Sequence, residues 1–179
     1  MIHTYIPYCP KSLGQDLGWA YNNFMENVAD DDWVCFLDHD AMFTTMHWYH
    51  QLEEIVSENP DGGLFTVVTN RIGNPAQKFK GLHDPDNHDM RIHRKAGEAI
   101  KTRYGNKVTD LTNEREISGL VMLVSKKVWQ DVGGFKSGFL SVDNDMHRKC
   151  RDNGYKVYLM DGVYVYHWYR GDGNKSHIQ

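Results

Sequence analysis

Apolar and polar positions along this chain recur with two periods, and the switches between them mark out its elements. Residues 2–8 read as a short strand that Pro10 stops, since proline has no N–H to give a ladder. Leu17, Ala20, Tyr21, Phe24, Met25 and Val28 recur at helical spacing, with Asp16 placed to cap the helix they predict. Residues 30–32 turn into an apolar strand at 33–37. Thr44 or Thr45 is placed to cap a second helix, buried through Trp48, Leu52, Ile55 and Val56. A turn at 59–63 follows, because Pro60-Asp61-Gly62-Gly63 joins a fixed φ to residues that tolerate positive φ. The β-branched run 64–69 is a strand, and so is the apolar run 120–124, which leads into a short helix ended by Gly133-Gly134. A helix is predicted over 146–153 with Gly154 just past its end, then strands at 155–159 and 163–168. The pattern is α/β with a mixed sheet, without repeats or low-complexity tracts.

Residues 70–117 break this rhythm. They are polar and rich in His, Asp, Lys and Arg, with one helix suggested between Asp89 and Tyr104. So long a stretch of weak pattern inside one domain reads as a functional loop or lid. His83, His88 and His93, interleaved with Asp84, Asp86 and Asp89, raise the question of a metal site. Their spacing of five fits neither a helical i,i+4 pair nor a zinc-finger signature, and a solvated polar loop is the plainer reading.

Composition narrows the picture only slightly. The 179 residues suit one domain with a real core, and 40% hydrophobic with 25% charged residues is ordinary for a soluble protein. A net charge of −4 offers no hint of nucleic acid or an anionic membrane as a partner. No apolar run approaches the ~20 residues of a membrane span, and no signal-peptide pattern opens the chain. Cys9, Cys35 and Cys150 are widely spaced with no C-x-x-C, so free thiols and a cytoplasmic location are expected.

The chemistry concentrates at Val34-Cys35-Phe36-Leu37-Asp38-His39-Asp40. An apolar run ends in two carboxylates at i and i+2, and a strand's period of two puts Asp38 and Asp40 on one side at its carboxyl end. Open α/β sheets bind ligands at that end. Paired carboxylates there suit Mg²⁺ or Mn²⁺, and such an ion suits a diphosphate. An isolated Asp-x-Asp is more often just a strand followed by an acidic loop. Further on come Gly133-Gly134-Phe135, Val142-Asp143-Asn144-Asp145 and Gly154-Tyr155. Asp143, at the mouth of a loop before a helix, is placed to act as a general base, with Asp145 in the first helical turn. Taken alone, both read as helix caps. His167 follows Val163-Tyr164-Val165-Tyr166; a lone His among aromatics is more often a core residue, but a further ligand beside Asp40 is wanted.

Together, Leu37-Asp38-His39-Asp40, Gly133-Gly134-Phe135, Asp143-Asn144-Asp145, Gly154-Tyr155 and His167 resemble, in order and spacing, the family 2 glycosyltransferases of the GT-A fold. The resemblance runs from about Leu17 to His167 and implies a single GT-A-like, Rossmann-like domain over 1–179, while the polarity and poor periodicity of 70–117 suggest a mobile segment on the acceptor side. It implies a metal site of Asp38, Asp40 and His167 for Mn²⁺ or Mg²⁺, and Asp143 as catalytic base. It implies donor contacts from Pro7, Tyr8, Gly18, Asn22, Asp38 and Asp40. The reaction implied moves a sugar from a UDP- or GDP-linked donor to a hydroxyl of a saccharide or other acceptor, with inversion. Aromatic and His residues of 71–116 and around Trp168 and Tyr169 would be available to stack on sugars.

Some positions depart from the family. Val142 stands where a glutamate is usual, Tyr21 near where an arginine is common, and only one strand and one helix precede Asp38. Two other classes compete. A non-catalytic nucleotide- or sugar-binding module fits the compressed N-terminal half. A haloacid-dehalogenase-type phosphatase would use Asp38 as nucleophile and Asp40 as acid/base, but carries Thr or Val where this chain has Met42.

Overall fold

β1 (Ile2–Tyr5) pairs in parallel with β2 (Trp33–Leu37), which begins a seven-stranded mixed sheet in a computed structural model that describes residues 1–168. β2 is flanked on its other side by antiparallel β6 (Val121–Ser125), and β6 by antiparallel β4 (Gly62–Thr69). β4 runs parallel to β7 (Lys156–His167), whose far edge carries the short antiparallel strands β3 (Ala41–Phe43) and β5 (Val108–Asp110). The carboxyl ends of β1, β2, β4 and β7 therefore share one edge of the sheet, where antiparallel β6 begins.

Helices cover both faces. α1 (Leu17–Glu26), α4 (Lys126–Asp131) and α5 (Val142–Asp152) bury Tyr21, Met25, Val128, Met146 and Cys150 against Phe36 and Met122. α2 (Trp48–Glu58) buries Leu52 and Ile55 against Phe65, Val67 and Val165 on the other side. With both faces covered, β2 and β6 are apolar runs without alternation. Asp16 caps α1 as its sequence position predicts, its Oδ1 accepting from the Trp19 N–H at 2.7 Å. No helix among the described residues is long and apolar enough to cross a membrane.

The structure departs from the sequence pattern at several points. Neither Thr44 nor Thr45 caps α2, which starts after His47; Thr44 is buried and gives its hydroxyl to the Tyr164 carbonyl at 2.8 Å. The expected strands 155–159 and 163–168 are one strand, β7, with an irregularity opposite Val67 and Val68. Gly162 lies at that irregularity because a Cβ there would stand 1.9 Å from the Gly105 carbonyl oxygen. β1 ends at Tyr5 instead of continuing to residue 8, ahead of Pro7, which has no N–H to donate. α5 begins at Val142, four residues earlier than its apolar spacing suggests. Asp143 therefore sits in the helix's first turn beside Asp145, not in a loop before it.

Much of the 70–117 stretch is ordered secondary structure. Asn74 caps a 3-10 turn at Pro75–Gln77, and Asp89 caps α3 (Met90–Tyr104) through the Arg91 N–H at 2.9 Å. α3 lies on β7 with His93, Gly97 and Ile100 buried; a Cβ on Gly97 would come within 2.1 Å of Thr44 Oγ1. The apolar periodicity is weak here because several buried positions are polar and paired. His93 bonds the Tyr164 hydroxyl at 2.8 Å and the Asn87 carbonyl at 2.6 Å, and Gln77 donates to Thr66 Oγ1 at 2.8 Å.

Candidate functional site

Three carboxyl-terminal strand ends build the site. β2 delivers Asp38 and Asp40 just past Leu37, β7 delivers His167 as its last residue, and β4 leads into Asn70 and Arg71. A turn sets the two carboxylates: the Ala41 N–H donates to the Asp38 carbonyl at 3.1 Å, and β3 then pairs Ala41 with His167. That pairing brings together residues far apart in the chain. Ligand atoms of Asp38, Asp40 and His167 all lie within 4.8 Å of one another, and His167 Nε2 is 3.5 Å from Asp40 Oδ1.

His167 is held on three sides. Asn70 Oδ1 accepts from its backbone N–H at 2.8 Å, and Asn70 Nδ2 donates to its carbonyl at 3.1 Å. The His167 Nδ1–H donates to the Arg71 carbonyl at 2.7 Å. A carbonyl oxygen only accepts, so Nδ1 carries a proton and Nε2 is the nitrogen turned towards Asp40. Metal-binding histidines are commonly oriented by such a bond from the ring nitrogen opposite the metal.

The charges are unevenly stabilised. Burial, then the Asp40 charge and, further off, that of Asp143, push the Asp38 carboxyl up to about 7, against partial relief from His167. Burial also acts on Asp40, but the hydrogen bond and charge of His167, helped by His39, outweigh it and hold that carboxyl below its usual range. Two carboxylates and an imidazole, one acid crowded into keeping its proton, form a donor set that a hard divalent cation relieves.

A cleft of about 690 Å³ opens over this group, lined among others by Pro7, Tyr8, Asp38, Asp40, Phe139 and His167. A second cavity of about 210 Å³ shares Asp38, Leu17 and Phe139 with it and reaches Asp143 and Tyr21. Asp143 is fixed by two backbone donors: Oδ2 accepts from the Gly119 N–H at 2.7 Å and Oδ1 from the Asn144 N–H at 2.9 Å. A carboxylate has about four lone-pair positions, so it keeps capacity for a further proton donor. Asp145 is turned to Lys149, 3.1 Å away.

Gly18 and Asn22 lie elsewhere. A Cβ on Gly18 would stand 1.7 Å from the Lys136 carbonyl oxygen, and its N–H donates to the Gly138 carbonyl at 3.1 Å. Asn22 is occupied by the Gly-Gly-Phe turn: its Oδ1 accepts from the Phe135 N–H at 2.9 Å and from Trp129 Nε1 at 2.8 Å, and its Nδ2 donates to the Phe135 carbonyl at 2.8 Å. Both positions serve the seat of the 133–138 turn on α1 and line neither cleft, whereas Pro7, Tyr8, Asp38 and Asp40 line the larger one. Among the described residues the His83, His88 and His93 set forms no metal-ligand group; the two ring nitrogens of His93 are both engaged, and His88 Nδ1 bonds the Tyr166 hydroxyl at 2.6 Å. Trp168 is half-exposed next to His88, whereas Tyr169 lies outside the described residues.

Sequence reasoning missed Asn70, Arg71 and Gly119. Asn70 had a usable signal, since it directly follows a β-branched strand at the ligand-binding end of the sheet. The backbone roles of Arg71 and Gly119 carry no side-chain signature. No protein-family model matches the chain, and no curated protein matches it in sequence.

Proposed function

We propose that this chain is a metal-dependent glycosyltransferase of GT-A, family 2-like type, moving a sugar from a nucleoside-diphosphate donor to an acceptor hydroxyl with inversion. The observation that carries the reading is the gathering of Asp38, Asp40 and His167 in a cleft that shares Asp38 with the cavity holding Asp143. Asp38 lines both the cleft over the residues expected to hold a cation and the neighbouring cavity that reaches the residue expected to accept a proton, which supports the reading.

Asp38, Asp40 and His167 would hold Mg²⁺ or Mn²⁺, which when bound supplies positive charge beside the diphosphate. The cleft lined by Pro7 and Tyr8 would seat the donor. Asp143, kept in place by Gly119 and Asn144, takes the proton of the acceptor hydroxyl. As that oxygen bonds to the anomeric carbon, the bond from that carbon to the donor phosphate breaks, and its electron pair leaves with the nucleoside diphosphate. Attack opposite the leaving group inverts the anomeric centre.

The test is a thermal-shift screen of nucleoside diphosphates and their sugars with and without Mn²⁺, on the parent and Asp40→Asn. A ligand at 100 times its Kd should add about 2.7 kcal/mol of stability. The expected result is a Mn²⁺-dependent shift with a UDP- or GDP-linked ligand that Asp40→Asn removes. A response to no nucleotide would overturn the reading, and metal-dependent phosphate release from simple phosphoesters would replace it with the phosphatase.

A further inference from the structure

A cavity of about 510 Å³ lies between the end of α3, β5 and the segment just after the 3-10 turn, and shares no lining residue with either cleft of the candidate site. Its floor is apolar, formed by Val68, Ile100 and Leu159, and Phe79 and Tyr104 stand in its walls. Four cations converge on it, Lys78, Lys80, Arg103 and Lys107, against one carboxylate, Asp161. That carboxylate is already engaged, accepting from Thr109 Oγ1 at 2.8 Å and lying 3.6 Å from Lys107. Among the described residues Lys78, Lys80 and Arg103 have no ion pair.

Three separate elements deliver these charges. The Phe79 N–H donates to the Thr69 carbonyl at 2.8 Å, which hooks an extended segment onto the end of β4. Lys78 and Lys80 both line the cavity, and Phe79 between them lines it too, its ring 5.9 Å from that of Tyr164. Arg103 comes from the last turn of α3, its guanidinium 5.2 Å from the centroid of the Tyr104 ring, and Lys107 from the turn before β5. Arg103 by itself would be explained by the carbonyl end of α3, where cations are favourable. That account does not reach Lys78 and Lys80, which belong to no helix. In a chain of net charge −4, three elements thus bring an excess of positive charge to one aromatic-walled hollow, a setting that attracts an anion.

The geometry points to a second ligand site in this cavity, for a mono- or disaccharide-sized ligand that carries two or more phosphate, sulfate or carboxylate groups. The cations take the anionic groups, and the ring lies on Tyr104 and the apolar floor.

Calorimetry on the full chain, with a chelator present to keep divalent ions away from the Asp38 cluster, tests this with three probes. Sucrose octasulfate carries both ring and charge, inorganic pyrophosphate carries charge alone, and sucrose carries the ring alone. The expected order is octasulfate tightest at one per chain, pyrophosphate weaker, and sucrose without binding. The double variant K78Q/K80Q and the single variant Arg103→Gln should each weaken octasulfate about tenfold or more, as loss of charge-assisted hydrogen bonds does. Lys95→Gln removes the same charge from an exposed position of α3 outside the cavity and should change affinity by less than about twofold, as expected for a screened surface charge. All four positions altered are exposed, so melting temperatures should stay near that of the parent. Absence of octasulfate binding, or equal weakening by Lys95→Gln, would overturn the site. Pyrophosphate binding as tight as octasulfate would overturn its preference for a ring.

Discussion

Asn70 grips His167 by both backbone groups, accepting from its N–H at 2.8 Å and donating to its carbonyl at 3.1 Å. The side-chain amide acts as one more peptide unit at the end of β7, and the same Nδ2 also donates to the Pro85 carbonyl at 2.9 Å. Asn70 is buried and touches neither carboxylate through any of these bonds. Its role is to position a proposed ligand.

Asn70→Ala should therefore lower stability and metal affinity together. Leaving buried backbone groups unpaired costs about 1–3 kcal/mol, and loss of a residue that orients a ligand typically weakens metal binding by about 10- to 100-fold. Chemical denaturation and a Mn²⁺ titration measure the two effects. Lower stability with unchanged Mn²⁺ affinity would mean that His167 is not a ligand.

Asp38 should leave a signature in the pH dependence of the metal-free protein. Its carboxyl titrates at about 7 when folded, chiefly through burial, and near ~3.9 in an unfolded chain. Between those values the native state keeps a proton that the unfolded state has lost, so stability falls as pH rises from about 4 to about 7 and then levels off. The fall should be of the order of a few kcal/mol. Asp38→Asn, neutral throughout, should lack that component. Denaturation curves at pH 5 and pH 8 in chelator, compared between parent and variant, measure it; identical pH dependence in the two proteins would contradict the assignment.

Asp143 and Asp40 should separate chemistry from binding. Asp143→Asn keeps size and removes basicity, so transfer should fall by roughly 10² or more, while Mn²⁺ and donor affinity stay within a few-fold. Asp40→Asn should lose metal-dependent donor binding first. Calorimetry beside a transfer or donor-hydrolysis assay reads both. If Asp143→Asn abolished nucleotide binding and spared turnover, Asp143 would be a donor contact and Asp145 the next candidate for the base.

Hydrogen exchange should divide the 70–117 stretch. α3 carries its backbone bonds inside a helix with His93 and Ile100 buried, and should exchange slowly, as β2 does. Residues 80–88 form no helix or strand and are largely exposed, so early exchange is expected there. If α3 exchanged as fast as 80–88, the lid would span the whole stretch.

Local order was legible wherever one element's own residues decide it. The apolar run of β2, the helical spacing and Asp16 cap of α1, and the turn at Gly133-Gly134 follow from side-chain periodicity and allowed φ, properties of neighbouring residues. The shared side of Asp38 and Asp40 follows from the strand period in the same way. What depends on distant partners had to wait for the tertiary structure. β3 and β5 are three residues each, too short to show a period, and exist because β7 pairs with them. β7 runs on across Asp161 and Gly162, and Gly105 approaches there where only a glycine fits. Gly18 and Asn22, read as donor contacts, are spent on the turn that meets α1, and polar Asn70, Gln77 and His93 are interior because their partners come from other strands and loops. Periodicity records what a residue's neighbours in sequence require. Strand pairing, close backbone approach and the satisfaction of buried polar groups are long-range, and they are what bring His167 to Asp40.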